Sequence, residues 1–355
     1  MPDGEKEAGK GIIDCLMEME RMEHYFTELP SDEKKQYQKV LTAIQNNEAS
    51  VSLSVFSGEN EITKVVSAVG YDHPELFYVN FKEIRYMRTP MGTIYQIEYL
   101  IKETVRKDAI NSMKDRINTV IEELNIKEND SEMIKCRKIH NYLIEHVSYC
   151  YEAINNLDQY PRTFDIRGVF EDSRAVCEGI AKAFKVLADQ VGLNCFIAGG
   201  MAAREGFENK IPHAWNIVKT GKTYSHIDVT WDIGMSETSG RKRYDYFMIP
   251  DEWIREDHDY SNLPECQESR YSYFVQKQCV FNGIQLLKAY LEKEIEGKRQ
   301  LLYFKVVGKN GMPDDIVDRI HKLIFKMVSE NSTAAFSLDI LTNQKQKIFF
   351  VRIKK

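Results

Sequence analysis

The sequence lacks the motifs that mark the common nucleotide-binding, zinc-hydrolase and serine-hydrolase sites. No stretch of it reads GxxxxGK(S/T), GxGxxG, HExxH or GxSxG. Such motifs hold phosphates on backbone amides, zinc on a pair of histidines, or a serine at a tight turn. Their absence excludes those enzyme classes in their usual form.

Paired cysteines, long apolar runs and a basic excess are also missing. The seven cysteines contain no CxxC pair, which is typical of a reducing compartment. No apolar run could span a bilayer, and the N-terminus has acids where a secretory signal has a basic end. The net charge of −6 argues against a nucleic-acid partner. We expect a soluble, cytoplasmic protein without nucleic-acid or membrane partners, whose oligomeric state the sequence does not indicate.

The chain does contain enough apolar residues for a core, with 43% hydrophobic and 29% charged residues among 355. This length suggests roughly two or three domains. Changes along the sequence in the pattern of predicted helices and strands indicate three parts. They are an N-terminal α+β accessory region at 1–129, a central domain at 130–280 and a small C-terminal α/β module at 281–355.

Periodicity predicts elements in the N-terminal region. A helix follows Pro30-Ser31, a strand covers 51–56, and Thr89-Pro90-Met91-Gly92 separates the two arms of a hairpin. A charged helix with an apolar stripe covers 102–126, and Ser131 caps the next helix.

The C-terminal module shows a regular alternation. The pattern predicts a helix at 283–297, a strand at 300–308, a helix at 313–331, and two final strands that turn at Asn343-Gln344.

The helix from Ser131 carries Cys136, His140, His146 and Cys150, which invites a zinc interpretation. However, Cys136 and Cys150 would be about 21 Å apart on one helix. Each Cys/His pair supplies only two ligands, whereas structural zinc takes four. Packing in the core is the favoured interpretation.

The stretch SRAVCEGIAKAFKVLADQVGL contains a predicted helix that ends at Gly192, and Cys177 is expected at or just before its first turn. The free N–H groups at a helix N-terminus stabilise a thiolate, and the Cys177 backbone N–H could face a developing oxyanion. By position alone, a small buried apolar cysteine is an equally good interpretation.

Two β-type runs follow, PHAWNIV at 212–218 and TYSHIDVTW at 223–231. With a two-residue loop at Thr220-Gly221, His213 faces Asp228 across an antiparallel pair. Facing residues have Cβ atoms about 4.5–5.5 Å apart. An acid there can hold one imidazole nitrogen and leave the other for a thiol. The sequence thus predicts a Cys177, His213, Asp228 triad.

Aromatic residues accompany these strands. Trp215 shares the face of His213 and is the predicted substrate-binding residue. Trp231 is expected in the core, and His226 is expected to have a structural role.

The segments VCEGIAKAF, HAWNIV and HIDVTWD resemble the three motifs of the transglutaminase-like superfamily in its bacterial form. The resemblance covers about 131–263 and makes 130–280 the catalytic domain. It implies a papain-like core, with the nucleophile helix packed on an antiparallel sheet, and an α+β class overall. It also implies that Cys177 is the nucleophile, His213 the general base and acid, and Asp228 the orienting acid.

This resemblance implies a cysteine-dependent acyl-transfer enzyme that acts on amide bonds of proteins or peptides through a thioester. Peptidase or amidase activity is favoured over cross-linking, and a catalytically silent binding or scaffold protein remains the alternative. No metal or organic cofactor is implied.

Overall fold

Helices and strands form largely where the sequence pattern predicts them. The computed structural model describes residues 22–54, 59–154, 156–203, 209–308, 313, 315–332 and 335–354. These residues fall into two compact units. Unit 1 holds the described residues up to Ala198 together with Ala214–Gly221, and unit 2 holds Gly199–His213 and the described residues from Lys222 onward.

Unit 1 is predominantly helical. Its helices are α1 His24–Glu28, α2 Ser31–Gln45, α3 Glu59–Asp72, α4 Glu103–Leu124, α5 Glu132–His146, α6 Ile166–Phe170 and α7 Cys177–Gln190, with 3-10 turns at Tyr151–Ile154, Leu157–Gln159 and Pro161–Phe164. Its strands are β1 Ser50–Leu53, β2 Arg85–Thr89, β3 Gly92–Gln96, β4 Ser148–Tyr149 and β5 Arg174–Ala175. Strands β6 Asn194–Ala202 and β7 Ile211–Thr220 are divided between the units.

The predicted hairpin is confirmed. Strands β2 and β3 pair in antiparallel register, with Thr89 opposite Gly92, and β1 pairs with the other edge of β3. Gly92 has φ of 151°, and a Cβ there would lie 2.3 Å from the Leu53 carbonyl oxygen. Glycine is therefore required at this turn. Residues 55 and 56 of the predicted strand 51–56 lie outside the described residues.

Helix α3 was not predicted, although its apolar positions follow a helical period. Ile62, Val65, Val66 and Val69 are all at most 1% exposed. The run is rich in β-branched residues, which weakens the helical signal even though burial favours the helix here.

Unit 2 contains strands and helices in alternation. Its elements are β8 Thr223–Ile227, α8 Val229–Ser239, β9 Phe247–Ile249, α9 Asp251–Ile254, β10 His258–Asp259, α10 Tyr273–Gln276, β11 Val280–Asn282, α11 Ile284–Glu296, β12 Leu301–Val307, α12 Ile316–Glu330, β13 Ser337–Asn343 and β14 Ile348–Lys354.

The C-terminal elements build one sheet in the order β11-β12-β14-β13, in which β11 runs parallel to β12 and the other pairs are antiparallel. Phe304 lies opposite Phe349, and their rings stack at 5.3 Å. Helices α11 and α12 contribute buried Leu291 and Ile324 to the same apolar cluster. The predicted turn is displaced, because Asn343 still pairs with Ile348 and 344–347 form the turn.

The prediction of a strand through Trp231 is wrong. Asp228 ends the extended segment and caps α8, since its Oδ1 accepts a hydrogen bond from the Trp231 backbone N–H at 3.2 Å. Gly240, with φ of 61°, ends the helix. An aspartate before the helix and a glycine after it are ordinary helix boundaries, which the apolar run TYSHIDVTW obscured. The loop after β7 also differs from the prediction, because Gly221-Lys222 separates the strands rather than Thr220-Gly221.

Among the described residues, no helix has both the length and the apolar character that crossing a bilayer requires.

Candidate active site

Cys177 is the first residue of α7 in unit 1, as predicted. Val176 precedes the helix in an extended conformation, and its side chain makes no capping hydrogen bond. The first turn of the helix begins at Cys177. The Cys177 side chain is partly exposed, unlike the buried Cys136, Cys150, Cys195 and Cys266. The Cys177 thiol is therefore accessible from solvent, at the end of α7 where backbone N–H groups have no partner within the helix.

The apolar face of α7 anchors this helix. The buried residues include the predicted positions Ile180, Ala181, Phe184, Leu187 and Ala188. Behind the cysteine, Gly179 lies so close to the 3-10 turn that a Cβ on it would approach the Thr163 carbonyl oxygen to 2.3 Å. The Val176 N–H donates to this same oxygen at 3.1 Å. The position of Cys177 is therefore fixed by backbone packing on both of its sides.

Residues of the N-terminal region lie near the start of α7. Glu178 pairs with Lys182 at 2.6 Å, and the Lys182 ammonium also donates to the Phe164 carbonyl oxygen at 3.2 Å. The Lys82 ammonium lies 3.0 Å from the centre of the Phe164 ring. Burial, with smaller effects of Glu178 and Cys177, raises the pKa of Tyr71 to about 12. The predicted accessory region thus contributes side chains to the surroundings of the thiol.

His213 and Asp228, both in unit 2, are in direct contact. The His213 Nε2 lies 2.7 Å from the Asp228 Oδ2. His213 is 7% exposed and Asp228 is fully buried. Burial alone would raise the pKa of Asp228, but His213, with help from His258, holds that pKa well below its usual range. The carboxylate therefore stays ionised and fixes the imidazole through Nε2.

His258 is a second histidine on the same carboxylate, which the sequence prediction missed. Its Nε2 lies 3.1 Å from Asp228 Oδ2, and its Nδ1 lies 2.6 Å from Asp257 Oδ1. Burial disfavours its protonation, yet the hydrogen bonds to Asp228 and Asp257 raise the pKa of His258. The one local signal was the Asp257-His258 pair itself, which is too common a dipeptide to indicate a site.

The Asp257 carboxylate extends this network. Its Oδ2 accepts from the Tyr246 hydroxyl at 2.7 Å and from the Gln346 side-chain amide at 2.9 Å. The Asn343 amide in turn donates to the Tyr246 hydroxyl at 3.1 Å. Side chains at the end of β13 and in the turn before β14 therefore support the histidines of unit 2.

The tryptophans occupy the reverse of the predicted positions. Trp215, the predicted substrate-binding residue, is 1% exposed and so is a core side chain. Trp231, expected in the core, is partly exposed and meets the His213 ring edge to face at 5.8 Å and the His258 ring at 5.1 Å. The helical path after Asp228 places Trp231 beside these histidines, where an extended strand had been predicted.

Two groups of side chains within unit 2 bring metal-ligand atoms within 4.8 Å of one another. They are His213, Asp228 and His258, and His226, Asp251 and Cys266. Both groups contain donor types that zinc accepts. In each group histidine and carboxylate are already hydrogen-bonded, with His226 Nε2 at 2.8 Å from Asp251 Oδ1. That a cofactor is not needed remains a prediction.

The zinc interpretation of α5 finds little support in the packing. Cys136, His140 and Cys150 are fully buried, whereas His146 is exposed and stacks on Tyr142 at 4.3 Å. The core interpretation is confirmed for Cys136, His140 and Cys150 and is wrong for His146. Helix α5 ends at His146, so Cys150 lies beyond it.

The family comparison bears on these same residues. Residues 118–229 match the model of the transglutaminase-like superfamily. The chain carries a transglutaminase-like domain. The matched stretch includes Cys177, His213 and Asp228, and it confirms the superfamily and the α+β transglutaminase-like fold class predicted from the three sequence motifs.

A curated relative of the transglutaminase-like domain is kyphoscoliosis peptidase from Mus musculus. It is 25% identical over 137 residues, which are 37% of this chain and 20% of that protein. The chain therefore spans about one fifth of the length of this relative.

Two solved structures are also similar to the chain. One, "Crystal structure of a TGase", is 22% identical with a TM-score of 0.29 and covers 51% of this chain and 50% of its own. The other, a candidate cysteine protease from Cytophaga hutchinsonii, is 13% identical with a TM-score of 0.27 and covers 42% of this chain and 61% of its own. The fold assignment rests on the family match.

Proposed function

We propose that the protein is a cysteine-dependent acyl-transfer enzyme with Cys177 as nucleophile, His213 as general base and acid, and Asp228 as orienting acid. The observation that carries the proposal is the buried 2.7 Å contact between His213 Nε2 and Asp228 Oδ2. A carboxylate on Nε2 selects the tautomer and stabilises the imidazolium, which assigns the exchange of protons with thiol and substrate to Nδ1.

The proposed reaction has two halves. In the first, the Cys177 thiolate attacks an amide carbonyl carbon, a C–S bond forms, and the C–N bond breaks as His213 gives its proton to the departing nitrogen. Ammonia or an amine leaves. In the second, water loses a proton to His213 and attacks the thioester, which releases the acid and restores the thiolate and imidazolium. A primary amine in place of water would give cross-linking by the same steps.

Hydrolysis is the proposed outcome, with a peptide or protein amide as substrate. The Mus musculus relative is named as a peptidase, which supports this choice over cross-linking. Trp231 is proposed to cover the bound substrate, because its partly exposed aromatic ring lies beside His213.

The test uses Cys279 as an internal control. Both Cys177 and Cys279 are partly exposed, but burial raises the pKa of the Cys279 thiol, and no part of the proposed triad includes it. We expect iodoacetamide at neutral pH to label Cys177 at least tenfold faster than Cys279, as followed by peptide mass spectrometry. His213→Ala should slow labelling of Cys177 and leave Cys279 unchanged.

Activity is then read on a peptide library in three ways: new peptide N-termini, ammonia release, and incorporation of a fluorescent primary amine. Hydrolysis gives new N-termini or ammonia without incorporation of the amine. Cross-linking gives incorporation of the amine, together with ammonia when the substrate is a primary amide. If Cys177 reacts no faster than Cys279 and Cys177→Ala matches wild type in all three assays, the proposal fails in favour of a silent binding protein.

A further inference from the structure

Unit 1 contains a cavity that the proposed chemistry does not use. Its volume is about 380 Å³, within the usual range of roughly 300–1,000 Å³ for small-molecule pockets. The walls come from the end of α2, the segment 75–78, α4, α6 and the second half of α7. Val186 marks the nearest approach to Cys177 along α7, and nine residues of helix correspond to about 13 Å. Along α7, the lining of the cavity is therefore well separated from Cys177.

The lining of this cavity is mainly apolar. Its apolar side chains include Leu76, Phe77, Met113, Ile117, Ile166 and Val186. A water molecule occupies about 30 Å³ in the liquid, so the volume corresponds to roughly a dozen non-hydrogen atoms. Because the lining is mainly apolar, the site suits an apolar body of about this size rather than a sugar or a nucleotide.

Lys114 is the one cationic residue among the described residues of that lining. Its Nζ is shielded from solvent, and no hydrogen-bond partner contacts it among the residues that the structure describes. Burial lowers the pKa of Lys114. A buried ammonium without a partner is costly, so a ligand that supplies an anion here gains both a charge pair and hydrogen bonds.

The acids of the lining do not neutralise Lys114. Glu75 pairs with His73 at 3.1 Å, and Asp189 accepts from Lys185 at 3.0 and 3.1 Å. Both carboxylates are thus engaged with other cations. The remaining polar side chains of the lining are neutral amides and the Tyr78 hydroxyl.

We propose that this cavity binds a small amphiphilic monocarboxylate, such as a medium-chain fatty acid, with its apolar body among the side chains of α4 and α7 and its carboxylate on the Lys114 ammonium. Decanoate has twelve non-hydrogen atoms and serves as the probe. 1-Decanol and decylammonium have nearly the same apolar body without the anion, so they separate the apolar contribution from the charge.

The test measures binding of these three probes to the full chain by isothermal titration calorimetry, below their aggregation concentrations. We expect decanoate to bind at least tenfold more tightly than 1-decanol, and decylammonium to bind more weakly than either. Lys114→Met should remove the preference for decanoate while changing the affinity for 1-decanol less than twofold. Lys107→Met, an exposed lysine on the same helix, is the matched control and should change neither affinity.

A second variant, at another position of the lining, tests the proposal independently of the fold of Lys114→Met. Ile110→Trp changes a partly exposed lining residue and should fill the cavity, which would abolish binding of decanoate and of 1-decanol alike. If decanoate does not bind, if it binds equally well to Lys114→Met, or if decylammonium matches it, the proposal is overturned. Thermal unfolding of each variant shows whether it is folded, and Lys114→Gln replaces Lys114→Met if the latter is not.

Discussion

Asp228 combines three tasks in one buried side chain. Its Oδ2 makes hydrogen bonds with the Nε2 atoms of His213 and His258. Its Oδ1 accepts a hydrogen bond from the Trp231 backbone N–H and so caps α8. Helix-capping and charge pairing use different oxygens, so substitutions can separate them. Asparagine caps helices about as well as aspartate but carries no charge.

Asp228→Asn should therefore lower the turnover rate by about 10²–10⁴-fold while leaving α8 in place. The loss should be smaller than for Cys177→Ala, because thiol and imidazole both remain. Steady-state kinetics on a peptide substrate and the labelling rate of Cys177 are the measurements, and the two should fall together.

The effect of Asp228 on stability has a defined pH dependence. Its folded-state pKa is depressed, so its contribution is present above the unfolded-state pKa of about 3.8 and is lost as pH falls through the folded value. Wild type and Asp228→Asn should therefore converge in stability at acid pH. A difference that stays constant from pH 7 to the acid limit would contradict this assignment of charge.

At the scale of elements, the predictions held where the pattern was local. Helix α7, the β2-β3 hairpin and the elements from α11 to β14 follow from periodicity, capping and turn residues within a few positions. The site was only partly predictable. His258 reaches Asp228 over 30 positions, and no local pattern encodes that contact. The position of Trp231 depended on a helix that the apolar run TYSHIDVTW did not indicate.

A substitution at Gly179 tests how closely α7 must pack against the Thr163 backbone next to Cys177. Alanine usually favours a helix over glycine by about 1 kcal/mol, but here its Cβ would approach the Thr163 carbonyl oxygen to 2.3 Å. Overpacking typically costs about 1–3 kcal/mol. We expect Gly179→Ala to lower the melting temperature by several degrees and to reduce the labelling rate of Cys177.

Gly199→Ala is the control for this prediction, because nothing lies within 4 Å of the Cβ that it adds. It should leave both melting temperature and labelling unchanged. If the two variants behave alike, the close approach to Thr163 is not a constraint on the helix.

At the scale of the whole molecule, the C-terminal segment makes hydrogen bonds that support residues of the candidate site in unit 2. The Gln346 amide donates to Asp257 at 2.9 Å and to the Trp253 carbonyl oxygen at 2.9 Å, and both its backbone and side-chain oxygens accept from Lys305. Burial lowers the pKa of Lys305 to about 7. The turn before β14 is thus part of the support for His258.

Gln346→Ala should consequently reduce activity several-fold without touching any proposed catalytic residue. Buried groups left without partners cost about 1–3 kcal/mol each, so the melting temperature should also fall. Gln344→Ala, an exposed position in the same turn, is the matched control. Full activity in both variants would show that the turn does not support the histidines.

The stability of unit 1 should depend on pH through His73. Burial lowers its pKa, but Glu23 at 3.4 Å and Glu75 at 3.1 Å raise it to about 9. Because the folded value exceeds the unfolded value of about 6.5, the contribution is complete below pH 6.5 and is lost as pH rises to about 9.

Wild-type stability should therefore decline between pH 6.5 and 9 by up to about 1.4 kcal/mol per pH unit. Urea unfolding across that range measures the slope, and His73→Gln should flatten it. A slope that the variant retains in full would assign the dependence to other groups.

Because the chain is synthesised from its N-terminus, the contact of Gln346 with Asp257 can form only late in translation. These partners are 89 positions apart, and the later one completes the support of His258. Ribosomes deliver chains from the N-terminus at about 5–20 residues per second, so the nascent polypeptide exposes Cys177 well before that support exists. We expect full catalytic activity to be acquired late in translation, once the turn before β14 has been synthesised and Gln346 can contact Asp257.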